Sequence, residues 1–235
     1  MPDAFFLDQY RRKAASPDAL EQAGRGPEFR GPAFETVVSE TLALLELAPD
    51  HALLDVGCAN GLLDVTLSAH CGELLALEPV AELAALARTT LAACANARVD
   101  VGHGAAVPAA DRHFDRVLVL EVLQLVPADE VPAIFRELHR VTRAGGRIVV
   151  SAVPDAARRD AVLAPYLAGV RAAPHLTNEQ KTDVVTRNER AWWYEPADLV
   201  AWWKDLGDAA VVRRPSPGYP NAADRFHLIV TVGAS

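Results

Sequence analysis

The N-terminal part of the chain carries a helical pattern of apolar residues. Residues spaced at about 3.6 positions form one stripe, which predicts a helix packed against a core: Phe34, Val37, Val38, Leu42 and Leu45. Glycine and proline residues between positions 24 and 32 precede this stripe and predict a turn-rich connection. We therefore expect residues 1–50 to form helices.

From residue 51 onward, short apolar runs alternate with amphipathic segments. The runs predict strands at residues 52–56, 74–77, 98–101, 116–120 and 147–151. The amphipathic segments predict a helix from about residue 62 and helices at 82–91 and 129–141. Strands that alternate with helices at this spacing predict an α/β fold in which helices cover both faces of a parallel sheet.

The last third of the chain predicts a different organisation. Residues 155–190 are more polar and less regular, and Pro196 then opens a helix that Gly207 ends. Two final strands are predicted at 209–212 and 226–232. We expect one domain over residues 1–235, made of a helical cap (1–50), a core (51–152), an insertion or lid (153–195) and a closing helix with two strands (196–235).

Composition and charge exclude several classes of partner. A net charge of −8 disfavours nucleic acid, since phosphate binding needs a basic face. The chain has no apolar run of the roughly 18 residues that a membrane helix needs, and its first residues do not resemble a signal peptide. The 3 cysteines have no spacing typical of a zinc site. We expect a cytoplasmic protein with no metal, nucleic-acid or membrane partner; a homodimer is compatible with the pattern but not indicated by it.

The most informative segment runs from Leu53 to Gly61 and reads LLDVGCANG. Here a buried strand leads into a loop in which Gly57 and Gly61 let the backbone approach a ligand closely. Glu78 follows about 20 residues later, at the end of the next strand, where an acid can accept hydrogen bonds from both hydroxyls of a ribose. The segment predicts a nucleoside site; the alternative is a sharp turn without a ligand.

Several motifs in a fixed order resemble the class I S-adenosylmethionine-dependent methyltransferases. The loop is similar to the D-x-G-x-G-x-G pattern of that superfamily, and it does not fit the G-x-G-x-x-G pattern of dinucleotide-binding folds. Further similar segments follow in the order of the family: Leu77-Glu78-Pro79, Gly102-His103-Gly104, Phe114-Asp115-Arg116-Val117, Glu121-Val122-Leu123 and Gly145-Gly146-Arg147. The resemblance implies a Rossmann-like, doubly wound seven-stranded sheet of order 3-2-1-4-5-7-6, with strand 7 antiparallel.

The resemblance also implies S-adenosylmethionine as cofactor and a role for each matching residue. Asp55 would hold the loop, directly or through water, and Glu78 would bind the ribose. The other implied positions are the methionine end of the cofactor (Gly57, Ala59 and Gly61), the adenine (His103 and Gly104) and the transferred methyl group (Glu121).

Two residues depart from the family pattern. Ala59 replaces the middle glycine, and its methyl group is tolerated only if φ there is negative. His103 stands where the family often has an aspartate, and a neutral imidazole can still accept a hydrogen bond.

We expect an enzyme that transfers a methyl group to oxygen or nitrogen of a small-molecule acceptor, in a setting such as specialised metabolism. The sequence gives no secure general base; the weak candidates are Glu121, His175, Tyr194 and Tyr219. Two regions are candidates for the acceptor pocket: the N-terminal residues Phe5, Phe6, Tyr10, Phe29 and Arg30, and the 155–195 insertion with Trp192, Trp193 and Tyr194.

Two other functions remain open at this stage. A protein of this fold could bind the cofactor and catalyse a reaction other than methylation, or serve as a noncatalytic binding subunit. A nicotinamide-dependent oxidoreductase would share the strand, glycine loop and acid, but the glycine spacing disfavours it.

Overall fold

A computed structural model describes residues 3–233 and contains one mixed sheet of seven strands in the order β3-β2-β1-β4-β5-β7-β6. The strands are β1 (Ala52–Val56), β2 (Glu73–Glu78), β3 (Ala97–Val101), β4 (Phe114–Leu120), β5 (Thr142–Pro154), β6 (Ala209–Arg213) and β7 (Arg225–Thr231). Strands β1 to β5 pair in parallel, whereas β7 runs antiparallel to β5 and β6. The predicted fold class, strand order and antiparallel strand are confirmed.

Helices pack on both faces of this sheet. In the described part of the chain they are α1 (Ala4–Lys13), α2 (Ala19–Gln22), α3 (Pro32–Leu45), α4 (Asp64–Ser68), α5 (Ala81–Thr90), α6 (Val131–Val141), α7 (Arg159–Ala172), α8 (Asn178–Arg190) and α9 (Pro196–Asp205). On one face, Trp203 of α9 is fully buried and stacks on Phe135 of α6, with ring centroids 4.5 Å apart. On the other face, residues of α3 and α4 such as Leu45 and Leu67 share a buried cluster with residues of β1 and β4.

The insertion after β5 is more regular than its sequence predicts. Residues 159–190 form two helices, α7 and α8, where we expected irregular structure. Helix α8 has no buried residue, so it lacks the apolar stripe that marks a packed helix. A capping box begins it instead, in which Thr177 and Gln180 bond each other's backbone N–H groups. Pro165 lies inside α7 and hides the helical pattern there.

Strand β5 begins earlier than predicted. We expected it to start at Arg147, after a Gly145-Gly146 turn, but it runs from Thr142, which pairs with Phe114 of β4. The register between the two strands shifts after this pair, and Gly145 adopts a φ of 74°. The irregular stretch therefore stays within the sheet.

Helix α1 is tied to the insertion across the carboxyl ends of the parallel strands. The Gln9 side-chain amide donates hydrogen bonds to both carboxylate oxygens of Asp183 at 3.1 Å. At the start of α1, Asp3 accepts a hydrogen bond from Arg190 at 3.0 Å, and its backbone N–H donates to the Leu125 carbonyl at 3.1 Å. These contacts place α1 above the edge of the sheet where β1, β2 and β4 end.

Candidate functional site

A cavity lies at the carboxyl ends of β1, β2 and β4. In open α/β sheets this edge is the usual position of ligand sites. Its lining comes from three sources: the strand ends and the loops after them, the loop 57–61, and the N-terminal region with α1.

Gly57 and Gly61 shape the loop through their backbone conformations. Both adopt positive φ, at 85° and 75°. A Cβ atom at Gly57 would lie 2.5 Å from a methyl carbon of Val122, and one at Gly61 would lie 3.3 Å from Ala87 of α5. Glycine is therefore required here by close packing as well as by φ.

Ala59 adopts a φ of 51°, so our expectation that its methyl group is tolerated only at negative φ is wrong. The backbone N–H of Ala59 donates to the Glu78 side chain at 3.0 Å, and this bond helps to keep the loop in its left-handed conformation. A non-glycine residue in that conformation costs about 1–2 kcal/mol. The loop thus keeps the shape that a glycine would allow and carries strain to do so.

Glu78 lies at the end of β2 and is 5% exposed. One carboxylate oxygen accepts from Ala59 and the other from the backbone N–H of Val80, at 3.0 and 2.9 Å. Burial raises the pKa of Glu78 to about 7, although these two hydrogen bonds lower it. Each oxygen retains a second lone pair that can accept a hydrogen bond from a ligand hydroxyl.

Asp55 lies at the end of β1, close to a second buried acid. The residue is 4% exposed, and its carboxyl group interacts with that of Asp64 in α4, which has no exposed surface. Burial, followed by the nearby Asp64, raises the pKa of Asp55, so the pair retains a proton that an isolated aspartate would lose. We expected Asp55 to hold the glycine loop; in the structure it interacts with Asp64, and it is Glu78 that accepts a hydrogen bond from the loop backbone.

Glu121 lies directly after β4 and adopts a φ of 57°. It lines the cavity, and its carboxylate lies 3.9 Å from the guanidinium of Arg25. Sequence reasoning missed Arg25, because its glycine-rich segment was interpreted only as a connection. An arginine between Gly24 and Gly26, with aromatic residues close behind, was the available signal.

His103 and Gly104 also line the cavity, at the end nearest β3. Burial lowers the pKa of His103, which keeps the imidazole neutral. Its Nδ1 accepts a hydrogen bond from the backbone N–H of Ala105 at 3.3 Å. The other ring nitrogen, Nε2, then carries the proton in the neutral tautomer. It would therefore donate a hydrogen bond to a ligand, whereas we had expected the imidazole to accept one.

The other predicted catalytic residues lie outside the cavity lining. His175 is exposed in the turn between α7 and α8. The Tyr194 hydroxyl is buried and donates to the carbonyls of Val126 and Leu123, at 2.6 and 3.3 Å. Tyr219 is buried against the ring of His227. None of these three positions reaches the cavity, so the structure offers no support for a role as base.

Only part of the predicted acceptor region faces the cavity. Phe6 and Tyr10 of α1 line it, whereas Phe5, Phe29 and Arg30 do not. The tryptophans of the insertion are also absent from the lining; Trp192 is 39% exposed at the surface. The N-terminal region, not the insertion, therefore supplies the aromatic wall.

Residues 3–233 contain no group of three or more His, Cys, Asp or Glu side chains arranged to hold a metal ion. In the same residues, no helix combines the length and the apolar character needed to cross a bilayer.

Comparison with known proteins relates this chain to methyltransferases. Residues 54–150 match the family described as "Methyltransferase domain". The chain is 38% identical over 93 residues to the protein-L-isoaspartate O-methyltransferase of Rhodopseudomonas palustris strain BisA53, a match that covers 39% of this chain and 43% of that protein. Identity to a protein-L-isoaspartate O-methyltransferase 1 of Anaeromyxobacter is 33% over 151 residues, covering 63% of this chain and 66% of the relative. The chain thus spans less than half the length of the first of these relatives.

Among solved structures, the fold is similar to the magnesium protoporphyrin IX methyltransferase of Synechocystis with bound S-adenosylhomocysteine. The TM-score is 0.65 at 16% identity, over 98% of this chain and 95% of the other. At this identity the similarity concerns the fold alone.

Proposed function

We propose that this chain is a class I S-adenosylmethionine-dependent methyltransferase and that it transfers a methyl group to oxygen or nitrogen of a small molecule. The observation that carries the proposal is the cavity at the carboxyl ends of β1, β2 and β4, with Glu78 at one strand end and Glu121 at another. The matched methyltransferase region, residues 54–150, contains the loop 57–61 and both of these acids.

The residues of the cavity fit S-adenosylmethionine. Gly57 lines the cavity and carries no side chain, so its backbone can lie close to a ligand. Glu78 can accept hydrogen bonds from ribose hydroxyls, and His103 and Gly104 lie on the β3 side for the adenine. Two buried polar atoms of the lining, Arg25 Nη1 and Gln124 Oε1, have no hydrogen-bond partner among the described residues. Buried polar atoms normally have hydrogen-bond partners, and a polar ligand in the cavity would supply partners for these two.

S-adenosylmethionine supplies a methyl group on a positively charged sulfur, which an incoming nucleophile displaces directly. The protein contributes by holding the two reactants in line and excluding water. Glu121 is the cavity acid at the β4 end and can accept the proton that a hydroxyl or amine loses. Phe6 and Tyr10 of α1 line the cavity and would help to exclude water from the reactants.

A small acceptor is favoured by the cover over the cavity. Phe6 is 1% exposed, and α1 is bonded to the insertion through Gln9 and Asp183. A flexible peptide would need an open groove beside the cofactor, whereas α1 covers this side.

A second candidate function is O-methylation of a carboxyl group on a protein. It is supported by the two relatives described above, both of which are named protein-L-isoaspartate O-methyltransferases. It requires α1 to move aside, because α1 lies across the cavity.

Calorimetry and a transfer assay test the proposal together. S-adenosylmethionine and S-adenosylhomocysteine are first titrated into the protein, and we expect binding in the micromolar range. Radiolabelled cofactor is then incubated with a panel of small hydroxyl, carboxyl and amine compounds and with an isoaspartyl peptide. A labelled small molecule supports the proposal, and a labelled peptide alone supports the second candidate. Cofactor binding without transfer to any acceptor favours a noncatalytic or non-methylating protein. If neither cofactor form binds at millimolar concentration, the proposal, the second candidate and this third function are all refuted.

A further inference from the structure

Arg25 is a buried cation in the wall of the cavity. Its side chain is 8% exposed and its guanidinium lies over the rings of Phe29 and Phe34, at 5.2 and 5.7 Å from their centroids. The backbone N–H of Arg25 donates to the Leu20 carbonyl at 2.8 Å, which fixes the segment after α2. Packing on two rings and a bonded backbone hold the guanidinium in a defined position.

The hydrogen-bonding capacity of Arg25 is not used up by the protein. Nη2 lies 3.9 Å from Glu121 Oε2, which is an ion pair but is too long for a hydrogen bond. Nη1 is buried and has no hydrogen-bond partner among the described residues. A buried charge with unsatisfied donors is costly, so a partner from outside the chain would lower its free energy.

The charges around the cavity favour Arg25 as the position of any anionic group that enters it. The lining contains three acids, Asp55, Glu78 and Glu121, and Arg25 is the single lysine or arginine among the described lining residues. An anionic group that enters the cavity is repelled by the acids at most positions and attracted at Arg25. A guanidinium presents paired N–H groups in one plane, which match the two oxygens of a carboxylate.

We propose that Arg25 forms a carboxylate-binding subsite at the Glu121 end of the cavity. This inference rests on the proposed function, because the cavity is taken as the site of cofactor and acceptor. The carboxylate has two sources in that reaction: the amino-acid end of S-adenosylmethionine, or an acid group on the acceptor. The geometry of Arg25 suits either, and the experiment separates them.

The first arm compares S-adenosylmethionine with its decarboxylated form, which differs only in lacking the carboxylate. Both are titrated into the wild type, Arg25→Gln and the control Arg136→Gln, whose arginine is exposed on α6. If the cofactor supplies the carboxylate, R25Q weakens S-adenosylmethionine at least about tenfold and leaves the decarboxylated form unchanged. The control should bind both as the wild type does.

The second arm tests an acid group on the acceptor. Benzoate and its neutral counterpart benzamide are titrated into the protein, both free and saturated with S-adenosylhomocysteine. If the acceptor supplies the carboxylate, the wild type binds benzoate in preference to benzamide and R25Q loses that preference. Arg25→Lys keeps the charge but lacks the paired donors, so it should lose part of the preference for benzoate. It replaces R25Q in both arms if circular dichroism shows that R25Q is poorly folded.

The subsite is overturned if R25Q and R25K, both folded, bind all of these probes as tightly as the wild type. Failure of the proposed function looks different, since the wild type would then bind neither form of the cofactor. In that case, benzoate binding to the free wild type that is lost in R25Q would still uphold the subsite. If the free wild type did not bind benzoate either, the subsite would be refuted together with the proposed function.

Discussion

The carboxylate of Glu78 accepts a hydrogen bond from the backbone N–H of Ala59 at 3.0 Å, across the gap between β2 and the loop after β1. This hydrogen bond joins the Glu78 carboxylate to the loop, so a substitution of Glu78 also removes a contact that holds the loop backbone in place. It also means that Glu78 has a structural task in addition to the proposed contact with a ribose.

Replacing Glu78 by glutamine should reduce cofactor affinity. Both oxygens of Glu78 accept backbone N–H groups, and a glutamine would turn its NH₂ toward one of these donors. Losing a hydrogen bond to a charged group costs about 1.5–3 kcal/mol, so we expect S-adenosylhomocysteine to bind about 10–100 times more weakly to E78Q. Calorimetry measures this, with the exposed Glu179→Gln in α8 as control. Equal affinity of E78Q and the wild type would contradict a role in binding.

The same residue predicts a pH dependence of binding. Burial raises the pKa of Glu78 to about 7, so the carboxylate becomes protonated as the pH falls from 8 to 6. The neutral form is the weaker hydrogen-bond acceptor, and wild-type affinity should therefore fall over this range. The affinity of E78Q should stay flat. A wild-type affinity that does not change between pH 8 and pH 6 would count against this assignment.

Replacing Ala59 by glycine should stabilise the protein. Alanine at a φ of 51° costs about 1–2 kcal/mol, and glycine removes this cost while adding about 0.4–1 kcal/mol of entropy to the unfolded chain. We expect the free energy of unfolding to rise by about 0.5–1 kcal/mol, which is about 1–4 °C in Tm for a chain of this size.

The control for this variant is Ala85→Gly, at an exposed position inside α5. It should lower the free energy of unfolding by about 1 kcal/mol, because glycine is a poor helix former. The two glycine variants thus have opposite signs, and a loss of stability in A59G similar to that in A85G would contradict the strain at Ala59.

The Asp55–Asp64 pair should make stability depend on pH. Burial raises the pKa of Asp64 from 3.8 to about 7, and in the unfolded chain the group ionises near its ordinary value. The folded state therefore holds protons that the unfolded state releases, and the free energy of unfolding should decrease as the pH rises from about 4 to about 7.

Asp64→Asn tests this pair. The amide can donate a hydrogen bond to the Asp55 carboxylate without a second charge, so D64N should be about 1–3 kcal/mol more stable than the wild type at pH 8 and should respond less to pH. Urea unfolding at pH 5 and pH 8 measures the change, with the exposed Asp50→Asn as control. Parallel pH profiles for D64N and the wild type would show that the pair does not share a proton.

The sheet could be predicted from the sequence because its signals are local. The buried strands are short apolar runs, and Gly57, Gly61 and Glu78 lie at strand ends, where the chain order fixes their positions. The conformation of Ala59 could not be predicted in this way. It depends on the hydrogen bond to Glu78, which exists only once β1 and β2 are paired.

The cavity wall was predicted only in part for a similar reason. Phe6 and Tyr10 face the cavity because α1 is held by Gln9 and Asp183, two residues far apart in the chain. Arg25 lies in a segment with no periodic pattern, so its burial follows from tertiary packing on Phe29 and Phe34. Contacts of this kind leave no periodic signal in the sequence.

Tyr194 provides a final prediction, because the structure gives its hydroxyl a structural task. It donates to the carbonyls of Val126 and Leu123 and joins the insertion to the segment after β4. Tyr194→Phe leaves a buried carbonyl without this donor, so we expect a loss of about 1–2 kcal/mol in the free energy of unfolding with unchanged affinity for S-adenosylhomocysteine. The exposed Tyr166→Phe in α7 serves as control and should have little effect on stability. Once an acceptor is known, the transfer rate of Y194F can also be measured. Unchanged stability with a lower transfer rate would contradict the structural role and make Tyr194 a candidate base again.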